Sequence, residues 1–428
     1  MAKNYQVPTG TQDFLPQQTK IWQEVEQIIR EECEKYSYQE IRTPVFEYTE
    51  VFKTENDSSD MVTKEMYTFE TTSEKGSTSF VLRPEGTKGI VRSFVEHKLY
   101  GNTAELPQKL YYIGPMFRHE RPQKGRYRQF HQFGIEAIGA KDPLLDVETI
   151  ALGYSIIKRL GIKDVKILIN SLGDDESRNN YRQALKDYFK PHLNELCEDC
   201  NRRYEMNPLR ILDCKVDRNN PIFTSAPSIK DYWNETSKEY FAKVIEGLEM
   251  LQIPYEIDDK LVRGLDYYSN TVYEAVPIDA TGQQAAVFAG GQYDGLVDYF
   301  GGGPLPGVGF GMGLERVIEL AKEQGRFEVT NKSCDVYVIT MGDVAAYGLQ
   351  ATQSLRGAGL KVEKDYLGRS LKAQFKATER LQSKIIVIIG EEEKEKRTVN
   401  VKNVATQTQQ TVSIDELVEF VKKELGKE

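Results

Sequence analysis

The sequence predicts an α+β fold, in which a mostly antiparallel sheet flanked by helices carries a helical insertion and precedes a C-terminal α/β domain. Three observations support this prediction. Strand-like segments in the first part of the chain lie close enough to pair through hairpins, and amphipathic segments separate the more distant ones. A polar, helix-rich stretch then interrupts the strands. After Gly325, short apolar strands alternate regularly with helical segments.

Length, charge and hydropathy limit the class of protein. The chain has 428 residues, more than one core normally holds, and we expect domains over residues 1–325 and 331–428. A net charge of −9 argues against a generally basic nucleic-acid binder, so any RNA must meet a local basic patch. No apolar run approaches the ~20 residues of a membrane span, and the N-terminus lacks the apolar core of a signal peptide. We therefore expect a cytoplasmic protein without a membrane partner.

The first domain is expected to begin with an amphipathic helix over Thr19–Glu34. Its apolar side recurs at helical spacing and comprises Ile21, Trp22, Val25, Ile28 and Ile29. The segment Ile41–Phe52 then predicts the end of a helix, a strand, and an end to strand pairing at Pro44. Further strands are predicted at Phe80–Arg83, Leu110–Phe117, Phe130–Ile138, Val165–Asn170, Val272–Val276, Ala285–Ala289 and Gly307–Phe310.

The stretch over residues 173–256 is polar and carries segments of helical periodicity. We interpret it as an inserted helical subdomain, although further helices packed on the same core would give the same pattern. Beyond residue 331 the β-α-β-α-β alternation predicts a doubly wound α/β domain with a largely parallel sheet.

The stretch Tyr111–Gly139 is the most informative part of the chain. Two strand-like arms flank a loop rich in Pro, Gly and cations, so one hairpin can present several guanidinium groups to a common anion. These are the side chains of Arg118, Arg121, Arg126 and Arg128. The alternative is a solvated basic turn at a sheet edge.

Three segments in order, Ile41–Phe52, Tyr111–Gly139 and Gly307–Leu320, resemble motifs 1, 2 and 3 of class II aminoacyl-tRNA synthetases. Three further segments resemble signatures of the histidyl-tRNA synthetase family. They are LRPEGT from Leu82, LVRGLDYY from Leu261 and AGGQYDGL from Ala289. The resemblance spans nearly the whole chain and implies a class II synthetase-like fold. It also implies ligase activity, in which histidine is activated with ATP and transferred to the 3′ end of tRNA(His).

This resemblance assigns roles to named residues. Arg118 and Arg263 would be catalytic and stabilise the α-phosphate, with Mg²⁺ on the phosphates. ATP would be bound by Arg118, Arg126, Phe130 and Arg316, with the adenine between Phe130 and Arg316. Histidine would be bound by Glu85, Thr87 and Gln132 at its ammonium group, by Glu136 and Tyr268 at its imidazole, and by Tyr267 along the wall. Arg121 and Gln123 would approach the acceptor end of the tRNA.

The resemblance also implies partners beyond the small molecules. We expect a homodimer formed through the helix and strand around Pro44, and an anticodon-binding role for the C-terminal domain. There, cations recur at Arg369, Lys372, Lys376, Arg380 and Lys384. A solvated helix face is the simpler alternative for these cations. His119 and His131 flank the basic loop and are expected to be structural or close to RNA.

The sequence alone does not assign the cysteines, two positions that depart from the family pattern, or the choice between two functions. Cys197, Cys200 and Cys214, with His192 nearby, permit a zinc site, but a single CxxC is a weak signal and the resemblance implies no metal here. Thr9 and Gln292 stand where the family usually has arginine. The alternative function is a non-catalytic paralogue that senses histidine as the regulatory subunit of ATP phosphoribosyltransferase; it typically lacks the C-terminal domain and the arginine of RGLDYY.

Overall fold

A computed structural model shows two compact units, residues 1–328 and 329–428. None of the helices it describes is both long and apolar enough to cross a membrane. The described residues are 5–53, 59–73, 76–123, 125–214, 216–217, 220–278, 286–327 and 333–427.

The first unit is organised around a sheet of eight strands in the order β1-β5-β6-β11-β10-β9-β7-β8. Pairing is antiparallel from β5 to β7 and parallel only at the two ends, where β1 joins β5 and β8 joins β7. The predicted, mostly antiparallel sheet is therefore confirmed. The strands of this unit are β1 (Gln39–Glu40), β2 (Phe46–Tyr48), β3 (Tyr67–Ser73), β4 (Gly76–Leu82), β5 (Gln108–Phe117), β6 (Gln129–Ile138), β7 (Val165–Ser171), β8 (Tyr255–Ile257), β9 (Ser269–Pro277), β10 (Phe288–Tyr293) and β11 (Gly307–Gly313).

Helices cover one face of this sheet with a large apolar core, to which α1, α4, α8 and α10 contribute. The predicted first helix is confirmed as α1, and its five predicted apolar residues are all buried. The helices of this unit are α1 (Pro16–Lys35), α2 (Thr49–Phe52), α3 (Thr87–Glu96), α4 (Pro143–Arg159), α5 (Asp175–Phe189), α6 (Glu198–Met206), α7 (Pro221–Thr224), α8 (Glu235–Met250), α9 (Leu296–Tyr299) and α10 (Leu314–Glu323). Short turns of 3₁₀ or π helix lie at Met61–Glu65, Thr103–Glu105, Lys190–Glu195, Pro208–Ile211 and Ile229–Tyr232.

The opposite face of the sheet carries α3 and a smaller core. Strand β5 shows how one segment serves both faces, because Tyr111 lies in the large core and Tyr112 in the smaller one. This second face is covered only in part, and it is where the candidate site lies.

A separate three-stranded sheet, β2-β4-β3, contains the segment around Pro44. The predicted order of elements there is wrong, because α2 follows strand β2 and the residues before that strand, 41–44, are irregular. Helix α1 has already ended at Lys35, and a proline disfavours helical geometry in the residue before it, so no helix extends to Pro44.

The predicted insertion, residues 173–256, contains elements of two cores. Residues from α5 to the 3₁₀ turn Ile229–Tyr232, including Tyr181 and Phe189, share one apolar cluster with Leu261, Tyr268 and Val272 of the main part of the unit. Helix α8, in contrast, packs on the large core of the main sheet. Both cores of the predicted insertion are therefore shared with residues outside it.

The second unit is an α/β domain with a five-stranded sheet in the order β13-β12-β14-β15-β16. The three predicted strands β12–β14 are parallel, and apolar clusters cover both faces. The prediction of a largely parallel sheet missed β15 and β16, which extend one edge of the sheet as antiparallel strands. Its elements are β12 (Val336–Thr340), β13 (Val362–Lys364), β14 (Ile385–Ile389), β15 (Thr398–Asn403) and β16 (Gln409–Ser413), with α11 (Ala345–Gly357), α12 (Leu371–Arg380), α13 (Glu391–Lys396) and α14 (Leu417–Glu424).

Candidate active site

A cavity of about 550 Å³ lies on the second face of the main sheet. Most of the residues predicted to bind ATP or histidine line it, although they come from segments far apart in the sequence. Those that line the cavity are Glu85, Thr87, Arg118, Arg126, Phe130, Gln132, Arg263, Tyr267, Tyr268 and Arg316. Such convergence makes the cavity the candidate active site.

One end of the cavity is cationic. Arg118 donates from Nε to the carbonyl oxygen of Pro84 at 2.9 Å, and its guanidinium lies 5.3 Å from the centre of the Phe130 ring. Burial, followed by the nearby charge of Arg126, lowers the pKa of Arg316 from its ordinary value. Arg126 also forms an ion pair with Glu120 at 3.2 Å, but its charge still acts on Arg316. A group of guanidiniums such as this suits polyphosphate.

Only part of the predicted arginine set reaches the cavity. Arg118 and Arg126 line it, whereas Arg128 donates to the backbone oxygen of Glu120 at 3.2 Å. The stem of Arg128 also lies against Gly10, where an added Cβ would come within 2.7 Å of its Cγ. The prediction that Arg128 faces the common anion is therefore wrong.

Arg121 and Gln123 lie on the exposed loop of the same hairpin, outside the cavity lining. The loop closes through a backbone bridge in which Gln123 and Arg126 exchange N–H···O hydrogen bonds. Their exposure leaves both side chains accessible to a large partner. The neighbouring Lys124 lies outside the described residues.

Arg263 brings a second charge to the cavity and forms an ion pair with Glu274 of β9. Burial is the largest single influence on Arg263 and would lower its pKa, but Glu274 together with Tyr268, Asp213 and Tyr267 raises that pKa overall. The guanidinium therefore stays protonated. Its buried Nε has no hydrogen-bond partner among the described residues.

The other end of the cavity carries fixed acceptors. Glu85 accepts hydrogen bonds from the backbone N–H groups of Thr87 (2.7 Å) and Lys88 (2.8 Å), so it caps the first turn of α3. Gln132 Oε1 accepts from the hydroxyl of Tyr112 at 2.9 Å, which fixes the orientation of the amide.

Glu136 lies beneath this end and is almost fully buried. It accepts hydrogen bonds from Thr87 Oγ1 at 2.6 Å and from the hydroxyl of Tyr293 at 2.7 Å. Burial raises the pKa of Glu136 to about 8, even though both hydroxyl groups oppose the shift. At neutral pH its carboxyl group is therefore mostly protonated, unless a ligand supplies a proton donor.

Strand β11 makes room for these side chains because its alternate residues are glycines. A Cβ at Gly307 would overlap the ring of Tyr293, one at Gly309 the carboxyl group of Glu136, and one at Gly311 the amide of Gln132. Side chains on one face of a strand repeat every second residue, so this pattern leaves one face bare. The predicted Gly-rich strand thus forms a floor made of backbone.

We expect Gly309→Ala to disrupt this floor, because the new methyl group would overlap both Glu136 and the backbone oxygen of Ile135. Overpacking against backbone should cost roughly 3 kcal/mol. Thermal unfolding measures the loss. Gly313→Ala in the same strand is the matched control, since its Cβ meets no atom within 4 Å. Equal stability of the two variants would contradict the crowding described here.

Several residues of the site were not predicted. Tyr112 lines the cavity beneath Gly86 and Gly134, where a Cβ would overlap its ring. Strand alternation separates Tyr112 from Tyr111 but does not reveal which face carries the cavity. Glu274, the partner of Arg263, lies 11 positions away along the chain, and no spacing rule connects them.

The two histidines beside the basic loop have different environments. His131 donates or accepts through Nδ1 with Glu315 at 3.0 Å and packs between Phe14 and Trp22, which gives it a structural environment. His119 is exposed at the hairpin. Neither Thr9 nor Gln292, the two departures from the family pattern, lines the cavity.

Comparison with known proteins agrees with this geometry. A family model described as histidyl-tRNA synthetase matches residues 10–317, and an anticodon binding domain model matches residues 335–424. Histidine–tRNA ligase 1 of Shouchella clausii is 50% identical over 98% of both chains, and histidine–tRNA ligase of Geobacillus thermodenitrificans is 50% identical over 97% of this chain and 98% of its own. The apo Staphylococcus aureus histidyl-tRNA synthetase structure is 40% identical with a TM-score of 0.82, covering 98% of this chain and 100% of that one.

Proposed function

Because the chain belongs to the histidyl-tRNA synthetase family and is a histidine–tRNA ligase, we propose that the cavity carries out both steps of ligation. In the first step, a carboxylate oxygen of histidine attacks the α-phosphorus of ATP and pyrophosphate leaves. In the second, a ribose hydroxyl at the 3′ end of tRNA(His) attacks the activated carbonyl, loses its proton, and AMP leaves. The observation that carries this proposal is that Arg118 and Arg263 line the same cavity as the acceptors for histidine.

The cationic end would hold ATP. Arg118 and Arg263 would neutralise the charge that builds up when two anions meet at the α-phosphate. Arg126 and Arg316 would contact the outer phosphates. Phe130 would stack on the adenine, and Arg118, which now lies against that ring, would move toward the phosphate when ATP binds.

Mg²⁺ fits the lining at this end. Glu65 and Glu120 line the cavity with Arg118 and Arg126, and these charges are close enough for Arg118 and Glu120 to influence the pKa of Glu65. Carboxylate oxygens are ligands that Mg²⁺ prefers. When bound, the ion would neutralise charge on the phosphates and the leaving pyrophosphate.

The acceptor end would recognise histidine. Glu85, Thr87 and Gln132 would bind its ammonium group, with Glu85 already fixed by the first turn of α3. Glu136 and Tyr268 would bind the imidazole, and Tyr267 would form a wall. A pocket with acceptors at both ends rejects amino acids that leave buried polar groups unpaired.

The decisive experiment is histidine-dependent exchange of labelled pyrophosphate into ATP. The expected result is exchange with histidine and none with other amino acids. Exchange absent from the folded chain would favour the histidine-sensing regulatory subunit, an alternative that the 50% identical ligases and the anticodon binding domain match weigh against. We place the reaction in the cytoplasm.

The second unit would bind the anticodon of the tRNA, and α12 offers a surface for it. Lys372, Lys376 and Arg380 are exposed and spaced four residues apart, so they lie along one side of the helix. Exposed Tyr366 and Leu367 precede the helix. Arg369 and Lys384, also predicted for this helix, lie outside its bounds.

At the other end of the tRNA, exposed Arg121 and Gln123 of the first unit would meet the acceptor end.

We expect Lys372→Ala/Lys376→Ala to raise the KM for tRNA roughly fivefold or more, because two phosphate contacts are lost, while pyrophosphate exchange stays unchanged. Aminoacylation at two salt concentrations measures both effects. The matched control is Lys394→Ala/Lys396→Ala, which removes the same charge from exposed positions of the same unit. Equal behaviour of the two double variants would argue against a role for α12.

The sheet β2-β4-β3 would form the homodimer interface. It exposes the aromatic rings of Phe46, Tyr48 and Phe69. Each of these rings packs against Phe80, and Phe46 also packs against Phe69. Exposed aromatic clusters of this kind mark protein interfaces.

We expect Phe46→Glu/Tyr48→Glu to convert a dimer into a monomer, because charges would be buried in the interface. Analytical ultracentrifugation measures the mass. Leu144→Glu, which changes an exposed apolar residue of α4, should leave the dimer intact. A dimer that survives the double substitution would place the interface elsewhere.

A further inference from the structure

Four potential metal ligands converge in the insertion. The Sγ atoms of Cys197, Cys200 and Cys214 and a carboxylate oxygen of Asp217 all lie within 4.8 Å of one another. Cys200 and Cys214 are buried, and the other two residues are partly buried. We refer to these four residues as the cysteine cluster.

Local structure brings the cluster together. Cys197 is the N-cap residue of α6 and Cys200 lies in its first turn, so the CxxC spacing turns both thiols to one side. Cys214 follows the 3₁₀ turn Pro208–Ile211 and donates from its backbone N–H to the oxygen of Ile211 at 2.9 Å. The third ligand, Cys214, therefore comes from a separate turn outside α6.

Backbone N–H groups donate hydrogen bonds to two atoms of the cysteine cluster, as they do to thiolates and carboxylates that bind a metal. The N–H of Asp217 donates to Cys214 Sγ at 3.2 Å, and the N–H of Cys197 donates to Asp217 Oδ2 at 2.8 Å. These hydrogen bonds fix the positions of a sulfur and an oxygen and suit ligands that carry negative charge.

Two of the separations within the cluster are close to those expected around one tetrahedral ion. Zn–S bonds of about 2.3 Å at tetrahedral angles separate two sulfurs by about 3.8 Å, and a sulfur from a Zn-bound carboxylate oxygen by about 3.6 Å. The observed separations are 3.7 Å between Cys197 Sγ and Cys214 Sγ, and 3.6 Å between Cys214 Sγ and Asp217 Oδ2.

The fourth ligand differs from the one that sequence spacing suggested. His192 interacts through Nδ1 with Glu195 at 2.9 Å and is not among the four converging residues. A disulfide between Cys197 and Cys214 would not explain why the Cys200 thiol and the Asp217 carboxylate converge with them. We propose that the cysteine cluster binds one structural Zn²⁺ through three thiolates and the Asp217 carboxylate.

This site would connect the insertion to the active site. Cys197 and Cys214 line the cavity, as does Arg203 of α6. Arg203 donates to the backbone oxygen of Arg210 at 3.2 Å and to Asp60 Oδ2 at 3.1 Å. The ion would therefore fix the part of the cavity wall that the insertion supplies, and it would take no part in the chemistry.

The test is elemental analysis and cobalt binding on the full chain, purified with a thiol reductant. We expect about one zinc per chain, and Co²⁺ added to the metal-depleted chain should give the thiolate charge-transfer bands of a tetrahedral site. Cys200→Ser should lose the metal and the bands. Cys334→Ser, which removes a buried cysteine of the second unit, should retain wild-type metal binding in the first.

Asp217→Ala keeps all three thiols and tests the fourth ligand if Cys200→Ser does not fold. It should release zinc to a chromophoric chelator at least tenfold faster than wild type, and the chelator should lower the unfolding temperature of wild type. A folded, reduced chain that binds neither zinc nor cobalt would overturn the proposal. So would bound iron in place of zinc, an unchanged release rate in Asp217→Ala, or metal retained by Cys200→Ser.

Discussion

Arg263→Ala should lower the rate of histidyl-adenylate formation by about 10²-fold or more, because a fixed cation would no longer stabilise the charge at the α-phosphate. Histidine-dependent pyrophosphate exchange measures this step. The substitution also leaves Glu274 as an unpaired buried carboxylate, and breaking such a pair costs about 3–5 kcal/mol. Loss of stability and loss of catalysis must therefore be separated.

A second substitution separates them. Arg263→Ala/Glu274→Gln removes the stranded charge, so its unfolding temperature should recover toward the wild-type value while exchange stays low. Arg159→Ala is the matched control, because it breaks an ion pair with buried Glu32 far from the cavity lining. That control should lose stability and keep exchange. Near-normal exchange in the double variant would remove Arg263 from the mechanism.

Glu136→Gln should raise the KM for histidine roughly 10- to 100-fold, because the amide cannot supply the same charged partner to the imidazole. It should also change how stability depends on pH. The pKa of Glu136 in the folded protein, about 8, lies above its ordinary value of 4.5. The contribution of Glu136 to the free energy of unfolding is therefore fully present below pH 4.5 and is lost as the pH rises through 8.

Between pH 6 and 8 the free energy of unfolding of the wild type should therefore fall by roughly 2 kcal/mol more than that of Glu136→Gln. Denaturant titrations across this range measure the difference. Asp146, whose pKa burial raises to about 7, titrates in both proteins and cancels. Asp146→Asn is the matched control, since it removes another buried carboxyl group outside the cavity lining and should leave the KM for histidine unchanged. Parallel pH profiles for wild type and Glu136→Gln would contradict the shifted pKa.

The strands of the main sheet could be predicted from the sequence because several of them are apolar, β-branched and bounded by turn residues. The predicted arms Leu110–Phe117 and Phe130–Ile138 match β5 and β6 to within two residues. Strand β16 escaped prediction because it is polar and largely exposed. Strand β15 escaped because its alternation is short, with only Val399 and Val401 buried in an otherwise polar segment.

Within the site, the resemblance identified residues that converge, but it did not identify their partners. Arg126 and Arg128 are two positions apart, yet the turn before β6 directs only Arg126 to the cavity. Asp217 follows Cys214 by three positions in a turn whose shape no spacing rule fixes. Side-chain direction in loops depends on tertiary contacts, so these assignments required the structure.

The bare face of β11 has an evolutionary consequence. Since Gly307, Gly309 and Gly311 each face a larger side chain from a neighbouring strand, amino-acid choice cannot be retuned by adding bulk at those three positions. A change of substrate would have to arise through Gln132, Glu136 or other side chains that rest on this strand. Laboratory selection for a new amino acid should therefore accumulate replacements on β6 and around Tyr268, and leave the three glycines untouched.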